Sequence, residues 1–480
     1  MSVINSSAAE PESAPGIFLS ADGLAQAAQG TWLNRPAQSW LAGVSTDSRG
    51  EIADRAFFAL RGPRFDGHDH VAAACAAGAA VVVVARPCAV PTGAGVLLVE
   101  NPQRALVDTA RVWRERLLAH VTAITGSAGK TTTRRLIAAA LASQRRVHAS
   151  PKSFNNEIGL ALTILSCPRE AEELVLELGT NHPGEIAMLA QLARPHTAVV
   201  TSIGRVHLSG LGSLAGVAQE KAALLAALNR EAHGFADGQS PELAAAVATG
   251  GIRARIHWLR SDRISKRCPD ATGQTFEAVV DGVAVTVRTR LYGEHNARNA
   301  LTALSVALHR GIGRDDALRG IAAVEAVEGR LAPQMAGSIL VVNDSYNANP
   351  ESVLAAIAAL GEIAPSARRR VVCLGDMLEL GEQGPQLHAA VGRRVAAALR
   401  DGELSAAHFI GELSVHGAQE CVRAGMAARV THSAQLESEC LTALEAALLP
   451  GDAVLIKASR GSALERLIPA IERAGSAAAA

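Results

Sequence analysis

The chain has 480 residues, of which 49% are apolar and only 3% aromatic, and its 46 basic residues equal its 46 acidic residues. A chain of this length predicts about three domains of roughly 150 residues each. Without a net basic field, nucleic acid and membrane surfaces are not expected as partners, and the scarcity of aromatic rings argues against base-stacking platforms.

The cysteines and the N-terminus indicate a reducing compartment. The seven cysteines are scattered and include no C-x-x-C pair, which argues against a disulfide framework and against a cysteine zinc site. The N-terminal "MSVINSSAAEPESAP" lacks the basic region and apolar run of a signal peptide. The longest apolar run, residues 71–85, is broken by Gly78 and is too short to cross a membrane. We therefore expect a cytoplasmic protein and predict a helix end followed by a strand in this run.

Apolar strand patterns alternate with Ala/Leu-rich helical stretches along the whole chain. In order, the strands are "AVVVVA", "HVTAITG", "ELVLELG", "HTAVVTSIG", "SILVVND", "RRRVVCLG" and "GDAVLIKAS". Continuous apolar strands between helices predict α/β domains with parallel sheets covered on both faces. We place the domain boundaries at residues 1–115, 116–326 and 327–480, and expect the terminal "GSAAAA" to fray. Ligands of such sheets bind beyond the carboxyl ends of the strands.

A candidate phosphate-binding loop lies in "VTAITGSAGKTTTRR", which begins at Val121. The segment is shorter than a Walker A loop, because Ile124 stands where that motif has its first glycine. A strand, a glycine loop and a helix nevertheless follow one another, which favours anion binding at the helix N-terminus. We predict that the loop binds ATP, with Lys130 on the terminal phosphates. The predicted contacts are Gly126, Ser127, Ala128, Gly129, Lys130, Thr131 and Thr132.

The pattern G-x-x-G-K-T resembles the Mur ligases and the folylpolyglutamate synthetases. "SFNNEIGLALTIL", "LELGTNHPGEI", "GRVHLSGLGSLAGVAQEK" and "LYGEHNARNALTAL" extend the resemblance in the order of those families. It implies a central P-loop ATPase-like parallel sheet, an N-terminal uridine-nucleotide-binding α/β domain and a C-terminal Rossmann-like α/β domain that closes on ATP.

Four residues carry the expected metal chemistry. Glu177 ends an apolar strand, where a carboxylate facing a phosphate site would hold Mg²⁺. The resemblance implies two Mg²⁺ ions, held by Thr131, Glu177, His207 and Lys221, the last as a carbamate formed with CO₂. From the residues alone, the preferred interpretation of Lys221 on an Ala/Leu-rich helix is an exposed lysine paired with Glu220 or with solvent. A reactive amine requires a depressed pKa, so carbamylation predicts partial burial. Lys130, Lys221, His207 and Glu177 are the expected catalytic residues.

The remaining site residues are implied by the resemblance. Towards ATP it implies Asn296, Arg330, Asp344 and Asn347, and we expect the "EHNARN" residues His295, Asn296 and Asn299 to open a helix and to cap it. Towards the substrates it implies Asn155, Asn156, Tyr346, Lys457, Ser459 and Arg460. The N-terminal "VSTDSRG" and "RGPRFDGHDH" resemble the uridine-nucleotide domain of Mur ligases, which folylpolyglutamate synthetases lack. They contribute Thr46, Asp47, Ser48, Arg49, Gly62 and His68.

"NDSYNANP" together with "GDMLELG" is most similar to the family members that join D-alanyl-D-alanine to UDP-N-acetylmuramoyl-tripeptide, a step of peptidoglycan synthesis. These two compounds, ATP and Mg²⁺ are the implied partners of an expected monomer. One alternative is the ligase that adds meso-diaminopimelate or lysine, although its D-N-P-[RK] motif is not found. A second alternative is an ATP-binding module without ligase activity. Whether the third peptide residue is meso-diaminopimelate or lysine stays open.

Overall fold

The structure is a computed structural model that describes residues 19–151 and 153–476. The signal-peptide argument concerns residues that lie outside this part of the chain, as do the last four residues of the predicted frayed tail.

Strands and helices alternate through the described residues. The strands are β1 (Leu19–Ser20), β2 (Thr31–Asn34), β3 (Trp40–Leu41), β4 (Gly43–Ser45), β5 (Arg55–Phe58), β6 (Arg61–Gly62), β7 (Phe65–Asp66), β8 (Val81–Val84), β9 (Gly95–Leu98), β10 (His120–Thr125), β11 (Val147–Ala149), β12 (Glu173–Glu177), β13 (Thr197–Val200), β14 (His233–Asp237), β15 (Arg255–Leu259), β16 (Ile264–Asp270), β17 (Gly273–Val280), β18 (Val283–Thr289), β19 (Ala332–Ala336), β20 (Ile339–Asp344), β21 (Arg369–Gly375), β22 (Ala406–Ile410), β23 (Val430–Ser433) and β24 (Asp452–Lys457). The helices are α1 (Ala21–Ala27), α2 (Val71–Ala76), α3 (Pro102–Arg116), α4 (Lys130–Ala142), α5 (Glu157–Leu165), α6 (Glu185–Ala193), α7 (Leu208–Leu211), α8 (Leu214–Ala226), α9 (Pro241–Thr249), α10 (Glu294–His309), α11 (Arg314–Ala322), α12 (Pro350–Ile363), α13 (Gly384–Arg400), α14 (Val415–Arg423), α15 (Ser438–Ala447) and α16 (Ile468–Ser476). None of these described helices has the length and hydrophobicity needed to cross a bilayer.

Among the described residues, the first compact unit comprises 19–119, 150–151 and 153–174. Its sheet has the order β2-β9-β8-β5-β4, in which β2 is antiparallel to β9 and the other neighbours are parallel. The predicted helix end and strand in residues 71–85 are present as α2 and β8, whose four valines are all fully buried. Helix α3 begins at the N-cap Asn101 and packs against α5, where the Trp113 indole donates to the Cys167 carbonyl at 3.0 Å.

The second unit comprises residues 120–149 and 175–476 of the described chain. Its first sheet has the order β11-β12-β10-β13-β14-β15, and the pairs from β10 through β15 are parallel. Helices α4 and α10 pack together over this sheet and share a core that includes Ile137 and Leu304. The Leu178 amide donates to the Ile124 carbonyl at 2.8 Å, so the ends of β12 and β10 lie side by side. This sheet edge therefore brings Glu177 next to the candidate phosphate loop.

A three-stranded sheet in the second unit departs from the prediction of parallel strands. Strands β16, β17 and β18 pair antiparallel in that order. The turn between β17 and β18 is Asp281-Gly282, with φ of 49° and 80°. Positive φ at both central residues is the geometry of a tight hairpin turn, for which Asp-Gly is a preferred sequence.

The C-terminal part of the second unit contains a six-stranded sheet of order β19-β20-β24-β21-β22-β23. Only its edge pair β19–β20 is antiparallel among the described pairs. One hydrophobic cluster on this sheet contains Leu208 and Leu211 from α7 together with Met377 and Leu380. The central and C-terminal parts of the second unit therefore share a continuous core.

Candidate active site

The phosphate loop follows β10 and leads into α4, as predicted. Gly126 has φ of 148°, and a Cβ there would overlap the Thr201 hydroxyl, so only glycine fits. Gly129, with φ of 80°, precedes the first residue of α4. The Lys130 ammonium donates to the Gly126 carbonyl at 2.7 Å, which folds the side chain back over the loop. Burial lowers the pKa of Lys130, Glu177 opposes this shift and Arg330 adds to it.

The segment after β13 is joined to the phosphate loop by several hydrogen bonds. The Ser127 amide donates to the Ser202 carbonyl at 2.8 Å, and the Ala128 amide donates to the Ser202 hydroxyl at 3.0 Å. The Thr201 hydroxyl donates to the Ala128 carbonyl at 2.5 Å. The Gly204 amide donates to the Ser127 hydroxyl at 2.9 Å. These bonds fix the conformation of the loop.

A buried carboxylate lies beside the first turn of α4. The Thr131 hydroxyl donates to Glu177 Oε2 at 2.8 Å, and Arg134 Nε lies 3.5 Å from the same oxygen. Glu177 is only 1% exposed, so its carboxylate is shielded from solvent although it ends a strand. Arg134 is also buried, although its Nε makes no hydrogen bond. Hydroxyl and carboxylate oxygens are the ligand types that Mg²⁺ prefers.

Lys221 lies on α8 and is one of the largest fully buried side chains. Burial lowers its pKa well below the usual range, and the neighbouring Lys130 cation lowers it further. The surface alternative is therefore wrong for this residue. Glu220 instead caps α6 by accepting from the Gly184 and Ile186 amides, both at 2.7 Å. A buried amine with a depressed pKa meets the chemical requirement for reaction with CO₂.

His207 follows β13 and has φ of 52°, in the left-handed region. Its Nδ1 lies 2.5 Å from Glu379 Oε2, within ion-pair distance but without the alignment of a hydrogen bond. His207 lowers the pKa of the Glu379 carboxyl.

Across residues 19–151 and 153–476, no group of three or more His, Cys, Asp or Glu side chains is arranged to hold a metal ion. The predicted ligand set contains only two such residues, Glu177 and His207, beside a hydroxyl and a lysine.

The C-terminal candidate residues come together at the ends of β20 and β24. The Lys457 ammonium, 2% exposed, lies 2.6 Å from Asp344 Oδ2 and donates to the Asn347 carbonyl at 3.0 Å. Burial raises the pKa of Asp344, and the Lys457 cation opposes the shift. The Arg330 guanidinium stacks on the Tyr346 ring at 4.0 Å.

Two further C-terminal candidates differ in their surroundings. The Ser459 hydroxyl accepts from the Leu378 amide at 2.9 Å and is buried. Arg460 is exposed and pairs with Glu465 at 3.1 Å, away from the Lys457–Asp344 pair.

The start of α10 adjoins the phosphate loop. The predicted capping by His295, Asn296 and Asn299 is wrong, because Gly293 occupies the N-cap and no side chain caps the helix. The Asn296 amide group instead donates to the Tyr292 carbonyl at 2.8 Å, and the Asn299 amide group donates to Asn296 Oδ1 at 3.0 Å. A Cβ on Gly129 would approach Asn299 Oδ1 to 2.8 Å, so Asn299 borders the loop.

The remaining candidates belong to the first unit. Residues 46–49 follow β4 and are solvent-accessible, with Asp47 paired to Arg49 at 2.8 Å. The predicted polar loop containing Gly62 is a short hairpin, β6–β7, followed by a helical turn. There His68 contacts Asp66 at 2.6 Å and accepts from the Ala85 amide at 2.9 Å. Asn156 caps α5 by accepting from the Gly159 amide at 2.9 Å, and Asn155 precedes it.

Three family models match the chain in succession. They are the Mur ligase family catalytic domain over residues 41–121, the Mur ligase middle domain over 124–307 and the Mur ligase glutamate ligase domain over 329–460. The UDP-N-acetylmuramoyl-tripeptide–D-alanyl-D-alanine ligase of Bacillus subtilis is 33% identical over 451 residues, covering 93% of this chain and 96% of its own.

The chain belongs to the Mur ligase family. The ligase of the same name from Escherichia coli is 32% identical over 456 residues, covering 91% of this chain and 94% of its own. A crystal structure of MurF from Acinetobacter baumannii matches with a TM-score of 0.82 at 27% identity, covering 95% of this chain and 98% of that one. The family and the three-domain α/β class predicted from the sequence are thereby confirmed, as is an ATP-dependent ligase. The exact domain boundaries stay predictions.

Several residues of this Mur ligase site were missed by the sequence argument. Arg134 approaches Glu177, Glu379 approaches His207, and Asn299 was expected only to cap a helix. A signal was available for Arg134, because it stands one helical turn after Lys130 and therefore on the same face of α4. Glu379 had none, because its partner lies in a different part of the chain.

Proposed function

We propose that this protein ligates D-alanyl-D-alanine to UDP-N-acetylmuramoyl-tripeptide with cleavage of ATP to ADP and phosphate, giving the pentapeptide precursor of peptidoglycan. The observation that carries the proposal is that relatives of one name match at 32–33% identity over at least nine-tenths of both chains. The phosphate loop and the buried groups around it supply the machinery that such a reaction needs.

The chemical difficulty is that a carboxylate is a poor acyl donor, because its leaving group would be oxide. In the proposed reaction the terminal carboxylate of the peptide attacks the γ-phosphorus of ATP, and the bond to ADP breaks. The resulting acyl phosphate is attacked by the amine of D-alanyl-D-alanine. Phosphate then leaves, the amine loses its proton, and an amide remains. The tasks of the protein are positioning and charge neutralisation.

Lys130 and Arg330 are the proposed cations on the ATP phosphates. Lys130 lies over the loop, and Arg330 is near enough for its charge to lower the pKa of Lys130. Two cations held together by the fold repel one another without an anion between them. Their placement therefore supports binding of a polyphosphate at this position. Asn296, Asp344 and Asn347 are proposed to hold the rest of the nucleotide.

Thr131, Glu177, His207 and a carbamylated Lys221 are proposed to hold Mg²⁺, with two ions expected. The Thr131 hydroxyl and the buried Glu177 carboxylate form an oxygen-lined corner beside the loop, which fits a hard cation. A bound Mg²⁺ would neutralise charge that develops on the transferred phosphoryl group. A carbamate would convert the buried Lys221 from a cation into an anion with two oxygen ligands, and the low pKa of the amine favours its formation.

The first unit is proposed to bind the uridine nucleotide through Thr46, Asp47, Ser48, Arg49, Gly62 and His68. Asn155, Asn156, Tyr346, Lys457, Ser459 and Arg460 are proposed to contact the peptide or the dipeptide. The exposure of residues 46–49 leaves them accessible to a ligand.

Mass spectrometry of the reaction product tests the function directly. The full chain is incubated with ATP, Mg²⁺ and D-alanyl-D-alanine together with either the meso-diaminopimelate or the lysine form of the tripeptide. We expect a mass gain of one dipeptide on one or both forms, with release of one ADP per product. Incorporation of meso-diaminopimelate or lysine into a dipeptide acceptor would establish the alternative ligase step. ADP release that does not depend on D-alanyl-D-alanine would instead favour a module without ligase activity.

A further inference from the structure

Residues 204–209 form a bridging segment between the phosphate loop and the C-terminal part of the second unit. On the loop side, Gly204 bonds to Ser127. On the C-terminal side, Arg205 pairs with Glu351 at 2.8 Å, and its amide donates to the same carboxylate at 3.2 Å. Glu351 stands in the first turn of α12. The two contacts between Arg205 and Glu351 thus anchor one end of the bridging segment to α12.

The loop after β21 contacts the other end of the bridging segment. Glu379 in this loop has φ of 66° and approaches His207, which has φ of 52°. The Ser209 amide donates to the Glu379 carbonyl at 3.3 Å. Left-handed backbone at a residue other than glycine is strained and persists where the surroundings enforce it. Both residues adopt it where their side chains meet.

The contact between Glu379 and His207 resembles the one that usually orients a histidine bound to a metal ion. A histidine that ligates a metal through one ring nitrogen usually donates its other N–H to a carboxylate, which fixes the tautomer and the ring orientation. Glu379 Oε2 is 2.5 Å from His207 Nδ1, so this carboxylate holds the Nδ1 side of the ring by its charge although the two groups are not aligned as a hydrogen bond. Nε2 is then the nitrogen left for a ligand. The Arg205–Glu351 pair already anchors the segment, so the Glu379 carboxylate is not needed to hold the backbone in place.

We propose that Glu379 is a positioning residue that orients the His207 imidazole towards the metal site. This inference rests on the proposed function, in which His207 is a metal ligand. Because Glu379 belongs to the C-terminal part and His207 to the central part, the ring is oriented only when the two parts are packed together. Metal binding and the shared core of Leu208, Leu211, Met377 and Leu380 are then coupled.

The test uses Mn²⁺ in place of Mg²⁺, because its binding to the full chain can be followed by electron paramagnetic resonance without turnover. A non-hydrolysable ATP analogue is present throughout. Glu379→Gln keeps the shape of the side chain and removes its charge, and it should weaken Mn²⁺ binding by about 10-fold or more. The matched control is Glu382→Gln, an exposed residue three positions along the same loop, which should leave the affinity unchanged. Circular dichroism checks that each variant is folded.

A double-mutant cycle separates orientation of the ring from a general effect on the loop. In a His207→Ala background, Glu379→Gln should produce no further loss of Mn²⁺ affinity. An unchanged affinity in the single Glu379→Gln variant would overturn the proposal, as would an equal loss with and without His207. If His207→Ala itself binds Mn²⁺ like the wild type, both the metal assignment and the role of Glu379 are wrong. Product formation by the wild-type chain tests the ligase function independently of all these results.

Discussion

Replacing Gly126 with alanine should damage the phosphate loop in two separable ways. The first is backbone strain, because φ of 148° is rarely adopted by residues with a side chain, at a cost of roughly 1–3 kcal/mol. The second is steric, because the new Cβ would overlap the Thr201 hydroxyl and lie 3.1 Å from Thr201 Cβ. Thr201 must then move and lose the hydrogen bond that its one O–H donates to the Ala128 carbonyl at 2.5 Å, which contributes about 0.5–1.5 kcal/mol. The combined cost is about 1.5–4.5 kcal/mol.

The Thr201→Ala variant distinguishes these two costs. It removes the hydroxyl that the new Cβ would overlap and leaves two contacts of 3.1 Å, with the Cβ of residue 201 and with the Ser202 backbone nitrogen, which a small shift accommodates. In that background Gly126→Ala should cost only the backbone term of about 1–3 kcal/mol. Urea unfolding of the four proteins, together with calorimetric titration of an ATP analogue, measures both the stability and the site. The steric reasoning would be refuted if Gly126→Ala cost the same with threonine and with alanine at position 201.

Three further predictions concern charged and titratable groups of the second unit. Lys130→Ala should lower the kcat of ATP-dependent ligation by about 10²–10³-fold in a folded protein, and near-normal turnover would remove Lys130 from the site. Lys221→Ala should lose most activity and regain part of it with acetate or formate, which can replace a carbamate, whereas Lys130→Ala should not respond; full activity without added acid would make the carbamate unnecessary. Burial lowers the pKa of His408 to about 4. The unfolded chain therefore takes up a proton below about pH 6.5 that the folded chain excludes. Stability should be lost between about pH 6.5 and 4, at up to about 1.4 kcal/mol per pH unit. His408→Gln should reduce that slope in urea unfolding at several pH values, and an unchanged slope would contradict the buried neutral imidazole.

The sequence predicted those parts of the site that a short, continuous stretch of residues specifies. The strand, glycine loop and helix around Lys130 follow from a short pattern, and Glu177 follows from its place at the end of an apolar strand. Lys221 required the family resemblance, because nothing local distinguishes a buried lysine on an Ala/Leu-rich helix from an exposed one. The structure supplied that distinction through the burial of its side chain.

Contacts between distant segments were not predictable in the same way. Glu379 and His207 are far apart in the chain, and each reads locally as an ordinary polar residue in a loop. Arg134 reads as one of several surface charges on α4, although it is buried beside Glu177. The antiparallel sheet was missed for a different reason. Its Asp281-Gly282 turn is a hairpin signal that the alternation of helices and strands elsewhere in the chain obscured.

The continuous core that links α7 to the C-terminal sheet means that the C-terminal part of this ligase cannot be removed or exchanged independently of the central part. Met377 and Leu380 pack in one cluster with Leu208 and Leu211, although the latter belong to the central part of the chain. A chain cut after the central part would expose this apolar surface to water and become prone to aggregation. A chimaera that combines the C-terminal part of one Mur ligase with the central part of another must therefore match these side chains as well as the catalytic residues. Exchange of substrate specificity by exchange of whole domains should succeed only when the packing between them is exchanged too.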